Sequence, residues 1–239
     1  MFRFSIFRIP VEVQPFFWVT TALLGGALYA DSRQAFFAMI LFILAAFVSI
    51  LIHELGHALT GEKLGGGQAI ILLTAFGGLA INQGGRFTRS GRFWMIAAGP
   101  GAGFVFLIVI LALLAGIFGP GNALAFAGNG LFSLNTEYPD SKLISFLIEK
   151  PFVGYFIDHL LWINFWWGII NLLPVAPLDG GQIAALFIRP ERRVYLVGMI
   201  TGAAMGLFGF FWLGSLYTAA LFGYLAWQNY KNMKAVSWQ

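Results

Sequence analysis

Apolar residues occur in long blocks along this chain, without the alternation of a half-buried strand or the single stripe of a surface helix. Five blocks stand out, near 16–30, 35–59, 93–118, 152–173 and 194–230. Each reads as membrane-spanning, given about 1.5 Å of rise per helical residue and a hydrocarbon core of about 30 Å. The last block has 37 residues without a charge. As one helix it would run about 55 Å, so it reads better as two spans joined by a tight turn near 209–214. The pattern therefore predicts an all-α polytopic membrane protein of about six transmembrane helices. One stretch breaks the helical pattern. Gln68 to Asn82 is rich in Ile and Leu, contains Gly77-Gly78, and predicts a short membrane-associated β-hairpin or re-entrant segment.

Composition agrees with this class. Hydrophobic residues make up 59% of the chain and charged residues only 10%, against about 25% charged in a soluble domain. Arg3 and Arg8 ahead of the first block, and Ala30 at its end, would also suit a secretory signal, but Glu12 and two prolines in its approach argue against one. The net charge of +4 does not point to nucleic acid, because the basic residues are scattered over short loops and gather on no single face or helix. With no cysteine, neither a disulfide framework nor a thiolate metal site is available.

The basic residues give an orientation. With six spans and the N-terminus inside, eleven lysines and arginines fall on the cytoplasmic side, and only Arg33, Lys142 and Lys150 fall outside. This places both termini in the cytoplasm and predicts a multi-pass protein of the cell membrane. The second block then ends toward the cytoplasm.

Near that end the chain reads His53-Glu54-Leu55-Gly56-His57. On a helix, residues four apart share a face, so His53 and His57 can offer ring nitrogens to one metal ion with Glu54 beside them. Zinc is the expected ion, one per chain, usually held by three protein ligands and a water whose pKa falls to about 7. Glu54 would take that water's proton and pass it to the leaving amine. Ordinary contacts explain such a string poorly here, because ionisable groups at membrane depth cost about 3 kcal/mol each. Counted from Ser32, a cap residue, or back from Lys63, the motif falls in the cytoplasmic half of the bilayer.

A third ligand is needed. His159, beside Asp158, lies toward the opposite end of the fourth span and reads as an interfacial polar pair. Asp179 is the better candidate. It sits in Asn171-Leu172-Leu173-Pro174-Val175-Ala176-Pro177-Leu178-Asp179-Gly180-Gly181, where two prolines and two glycines cannot continue a regular helix. Broken backbone at membrane depth is tolerated where it lines a cavity. The alternative for Asp179 is a helix cap on the segment that follows.

HELGH at the end of a spanning helix, with NLLPVAPLDGG about 120 residues later, resembles the site-2 protease family of intramembrane zinc metalloproteases. Phe76-Gly77-Gly78 and Ala97-Ala98-Gly99-Pro100 resemble it too, so the likeness covers about residues 35–190. The resemblance implies zinc ligands His53, His57 and Asp179, with Glu54 as general base. It implies that Asn171 is a polar residue near the site that orients substrate or oxyanion. Ala176 stands where many members have proline, a change in local stiffness that touches no ligand.

The resemblance also implies a substrate: a single-span, membrane-tethered protein cut within or near its span, typically after an upstream protease has trimmed it. Helical peptide bonds are internally hydrogen bonded, so the substrate must become locally extended, and the 68–82 hairpin offers an edge for strand addition. A re-entrant plug that never touches substrate is the competing reading of that segment. Gly198, Gly202 and Gly206 permit close helix packing in the fifth span. The 119–150 loop is too short for a folded peptide-binding module, and no cytoplasmic loop is long enough for a nucleotide-sensing one. The chain therefore reads as a single membrane core over 1–239, whose access is set by its spans, that outer loop, or a regulatory membrane partner. Two other classes compete. A zinc-binding scaffold would not need Glu54, and a zinc transporter would need polar groups continuing across the membrane.

Overall fold

The computed structural model describes residues 1–236. Its chain divides into two compact units, Met1–Gly168 and Ile169–Gln239.

The first unit opens with a feature the apolar blocks do not announce. Strands β1 (Phe2–Ile6) and β2 (Ile9–Val13) form an antiparallel hairpin. Its two-residue turn is Phe7-Arg8, both with positive φ, at 52° and 70°. Hairpin turns of this kind usually use Asn-Gly or Asp-Gly, so Phe-Arg gives no sequence signal. After β2 come a ten-residue helix α1 (Pro15–Leu24), a 3-10 turn at Ala27–Tyr29, and the 33-residue helix α2 (Arg33–Gly65). Ser32 caps α2 through a hydrogen bond that its side chain accepts from the Ala35 amide.

The segment after α2 is the expected hairpin, β3 (Gln68–Thr74) and β4 (Gly77–Gln83). It joins the N-terminal hairpin in one sheet of order β1-β2-β3-β4, with β2 and β3 parallel, so the all-α expectation is corrected to a mostly helical chain with a four-stranded sheet. β3 is bonded on both sides and Ile71 and Leu73 are fully buried, so the free edge of this hairpin is β4, with β1 at the other edge of the sheet. Ile9, Val11, Val13, Ala69, Ile71 and Leu73 alternate into the core with Phe17, Ala45 and Ala46.

Contacts along α2 fix the depth of each element beside it. Glu62 accepts a hydrogen bond from the Ala69 amide at 2.9 Å, tying the start of β3 to the last turns of α2. Two turns lower, Gly78 lies against the Glu54 side chain, and lower still Gly25, just after α1, abuts the Phe42 ring.

Helix α3 (Arg89–Phe118), capped by Thr88, packs along α2 and carries Pro100 in its interior. The 119–150 stretch expected as a loop is two helices, α4 (Pro120–Phe132) and α5 (Ser141–Glu149). Alternation of Gly and Ala with larger residues hid α4, which buries Asn122, Ala123, Ala125, Phe126 and Ala127 and packs on α3. Asp140 caps α5. The Lys142 backbone amide and, secondly, the Asn122 side-chain amide hold its carboxyl below the usual range. Helix α6 (Pro151–Asn171) follows.

The second unit holds the end of α6, the short helix α7 (Asp179–Phe187), and an antiparallel pair, α8 (Glu191–Phe211) and α9 (Leu216–Ala235). The uncharged 194–230 block does split, at Trp212–Ser215, where Gly214 has φ 60°. Gly198, Gly202 and Gly206 face Asn229, Ala226 and Gly223 of α9, the packing role their spacing suggested. Val175, Phe222 and Leu225 form the core beneath the 172–178 turn. By length and composition, α2, α3 and α8 suffice to cross a membrane.

Candidate metal centre

Helix α2 carries the two histidines and Glu54 on contiguous turns, with His53 and Glu54 buried and His57 half-buried. The rings meet edge to face at 76°, and their Nε2 atoms stand 3.1 Å apart. The other nitrogen of His57, Nδ1, lies 2.9 Å from the Met95 carbonyl of α3. A carbonyl can only accept, so Nδ1 carries a proton and Nε2 is the nitrogen turned toward His53. A backbone carbonyl orienting a ligand histidine is the usual support of a metal site.

The donor set fits a metal. Two nitrogens bound to one zinc at about 2.0–2.1 Å with near-tetrahedral angles would lie roughly 3.3 Å apart. The observed separation is close to that. Both donors are imidazoles with a carboxylate as neighbour, a combination suited to zinc.

Three glycines let backbones approach this cluster. A Cβ built on Gly99 of α3 would overlap the His57 ring. One on Gly56 would run into the Ala98 carbonyl, and one on Gly78 of β4 into the Glu54 side chain. Gly78 and Gly99 both lie in the short motifs read from the sequence, and the spacing of Gly99, Gly101 and Gly103 around Pro100 suggests close packing there, which Gly99 makes against the His57 ring. The buried Ser49–Asn164 bond was missed as well. Ser49 lies one turn before His53, and the Asn164 amide of α6 donates to its hydroxyl and to the Leu160 carbonyl, both at 2.8 Å. The signal was available, as one of two amides, with Asn171, in the apolar block 152–173.

Asp158 and His159 serve packing. Asp158 sits against Gly130 of α4, and the His159 ring lies edge-on to Phe42, eleven residues from His53 along α2.

The remaining sequence candidates belong to the second unit. Asn171 is buried at the end of α6. Asp179 is buried at the first position of α7. The cap position of that helix is Leu178, which makes no side-chain cap bond. Gly180 and Gly181 lie directly against the backbones of Leu172 and Val175, folding the turn tightly under α7. The Ala176–Pro177 peptide within it is cis.

Comparison with known proteins points one way. Residues 41–209 match the family described as Peptidase family M50. Among curated proteins, the chain is 29% identical over 181 residues to Zinc metalloprotease MJ0392 of Methanocaldococcus jannaschii, covering 75% of this chain and 43% of that protein. It is 26% identical over 218 residues to Putative zinc metalloprotease sll0528 of Synechocystis sp., covering 87% of this chain and 49% of that one. The chain thus spans under half the length of these two relatives. The solved structure titled Site-2 Protease from Methanocaldococcus jannaschii shares the fold, with a TM-score of 0.56 at 20% identity over 100% of this chain and 97% of the other.

Proposed function

The chain belongs to peptidase family M50, and from that premise we propose that it is an intramembrane zinc metalloprotease cutting membrane-tethered proteins within or near their spans. The observation that carries this is the His53–His57 pair. Its Nε2 atoms converge, its outer ring is locked by the Met95 carbonyl, and Glu54 lies alongside. His53 and His57 would hold the ion, with Asp179 as third ligand. Asp179 is supported by its carboxylate, its burial and its place in the LDGG turn. A zinc ion so held supplies a Lewis acid that activates water and polarises the scissile carbonyl. Glu54 accepts the water's proton and returns it to the leaving amine. Asn171 would orient substrate or oxyanion.

The substrate would be a single-span membrane protein that arrives extended, because a helix offers no free peptide group. Edge strand β4 is the surface suited to it. Gly78, on that strand, lies against Glu54, so a chain paired to β4 would pass beside the base. A proline scan from Leu79 to Ile81 tests this. Proline at positions whose N–H points away from β3 should abolish cleavage without loss of thermal stability. Proline at the intervening positions should destabilise the hairpin instead. Equal effects at both parities would remove β4 from substrate recognition.

We also propose six crossings with both termini in the cytoplasm of a cell-membrane protein. Helices α6 and α9, of 21 and 20 residues, have the length for about 30 Å. Helix α1, at ten residues, covers only about 15 Å alone. The contacts along α2 supply the rest. Leu73 pairs with Val13 and with Gly78, and Gly78 meets Glu54, so β2 ends near the depth of Glu54 and α1 continues to the depth of Phe42. The first crossing would thus be a strand in its inner part and a helix in its outer part.

Regulation by an upstream protease or a membrane partner belongs to the same proposal. The test is incubation of detergent-purified protein with labelled single-span membrane peptides, with and without a zinc chelator, and with bound metal quantified. Cuts within the span that stop on chelation and return with zinc would support the reading. One zinc per chain with no cutting across a broad panel would favour a zinc-binding scaffold, and absence of bound zinc would sink the ligand assignment.

A further inference from the structure

Asn229 lies on α9, a helix in which the sequence offers no motif, yet it is fully buried. A buried amide is costly unless it is hydrogen bonded, so its partners indicate what it is for. The Asn229 amide nitrogen donates to the Leu225 carbonyl one turn back at 2.8 Å, and to the Ala176 carbonyl, 53 residues away in sequence, at 2.7 Å. With two carbonyl acceptors on one side, the NH2 group must face them, which fixes the amide orientation. The Oδ1 atom is then turned toward Gly198 of α8, where any Cβ would collide with it. Gly198 is therefore the space into which the amide fits, and Oδ1 finds no hydrogen-bond partner among the described residues.

The acceptor matters more than the bond. Ala176 precedes the Pro177 ring, which has no N–H, and lies three residues before Asp179. Within the turn, backbone bonds run from Val175 to Leu173 at 2.7 Å and from Leu178 to Val175 at 2.8 Å, and the Gln182 side-chain amide of α7 donates to the Pro177 carbonyl at 3.2 Å. Asn229 supplies its side-chain anchor to the α8–α9 pair. We propose that Asn229 is a positioning residue that latches the Ala176–Asp179 turn to α9 and thereby sets the aim of the Asp179 carboxylate. This rests on the reading of Asp179 as a metal ligand.

The test uses the whole 239-residue chain in detergent and reads metal rather than cleavage. Zinc affinity is measured by competition with a chromophoric chelator, and the cobalt-substituted protein is examined for its ligand-field bands, for wild type, N229D, N229L and D179N. N229D removes the donor at constant shape. N229L keeps the site filled with a helix-favouring apolar side chain if the aspartate variant does not fold. The expected result is zinc affinity about 10–100-fold weaker in both Asn229 variants, the magnitude usual for supports of metal ligands, with one ion still bound at saturation and altered cobalt bands. Lower thermal stability with unchanged affinity and bands would make Asn229 a packing residue and overturn the proposal. D179N separates the two ideas. If D179N keeps wild-type affinity, the ligand assignment fails whatever the Asn229 variants show. If D179N loses affinity and the Asn229 variants do not, only the latch fails.

Discussion

Glu54→Gln is expected to lower the rate of peptide cleavage by about 10²–10⁴-fold while leaving one zinc per chain and the thermal transition essentially unchanged. The magnitude follows from the single proton Glu54 has to move. Glutamine matches the carboxylate in shape but cannot accept a proton from water, so only the shuttle is removed. Preserved metal binding is part of the prediction, because the histidine rings are oriented by other groups. The His57 ring is set by the Met95 carbonyl, and His53 sits among buried neighbours on α2. Glu54 is packed against Gly78, where the glutamine amide occupies the same space. Single-turnover cleavage of a labelled span peptide, beside metal analysis of the same sample, checks it. A variant that loses its zinc would show Glu54 to be structural, and a variant that cuts at the wild-type rate would remove it from the mechanism.

What was legible in the sequence, and what was not, separates by the range of the interaction. His53, Glu54 and His57 were legible because helical periodicity alone puts them on one surface. The hairpin at 68–83 was legible through its β-branched and leucine-rich composition between glycines, although its partner was not. The parallel pairing of β2 with β3 joins residues about 60 apart, and the Phe7-Arg8 turn carries none of the usual hairpin residues. With β2 paired to β3, the free edge of that hairpin is β4. Helices α4 and α5 were hidden for a different reason. Glycine lowers the intrinsic helix propensity of α4 and the many small residues blunt its apolar contrast, and packing on α3 overrides both. Asn229 was illegible because its partner is a backbone carbonyl, which no side-chain pattern records.

Gly99→Ala should be the most damaging single-methyl change outside the ligands and the base. Residues 95–99 of α3 form the platform for the His57 ring, with the Met95 carbonyl gripping Nδ1 and the bare Gly99 backbone lying under the rest of the imidazole. The added Cβ would fall within van der Waals contact of three ring atoms, Nε2, Cε1 and Cδ2. The ring is short and held at one corner, so it cannot rotate clear while keeping Nδ1 on the carbonyl. It must move away from α3 by something like 1 Å, and misplacement on that scale costs about 10²-fold in rate. Zinc affinity should fall along with it, by about 10–100-fold, since the displaced Nε2 is itself a proposed ligand. Gly101 provides the control. It lies two residues further along α3, and a Cβ there meets nothing within 4 Å, so Gly101→Ala should leave cleavage and metal affinity unchanged. Replacing a mid-helix glycine by alanine usually stabilises by about 0.5–1 kcal/mol, so any loss confined to Gly99→Ala comes from the ring and not from the helix. Indistinguishable kinetics and zinc affinity in the two variants would mean that α3 does not set the His57 ring, and the carbonyl contact would lose its role as the orienting bond.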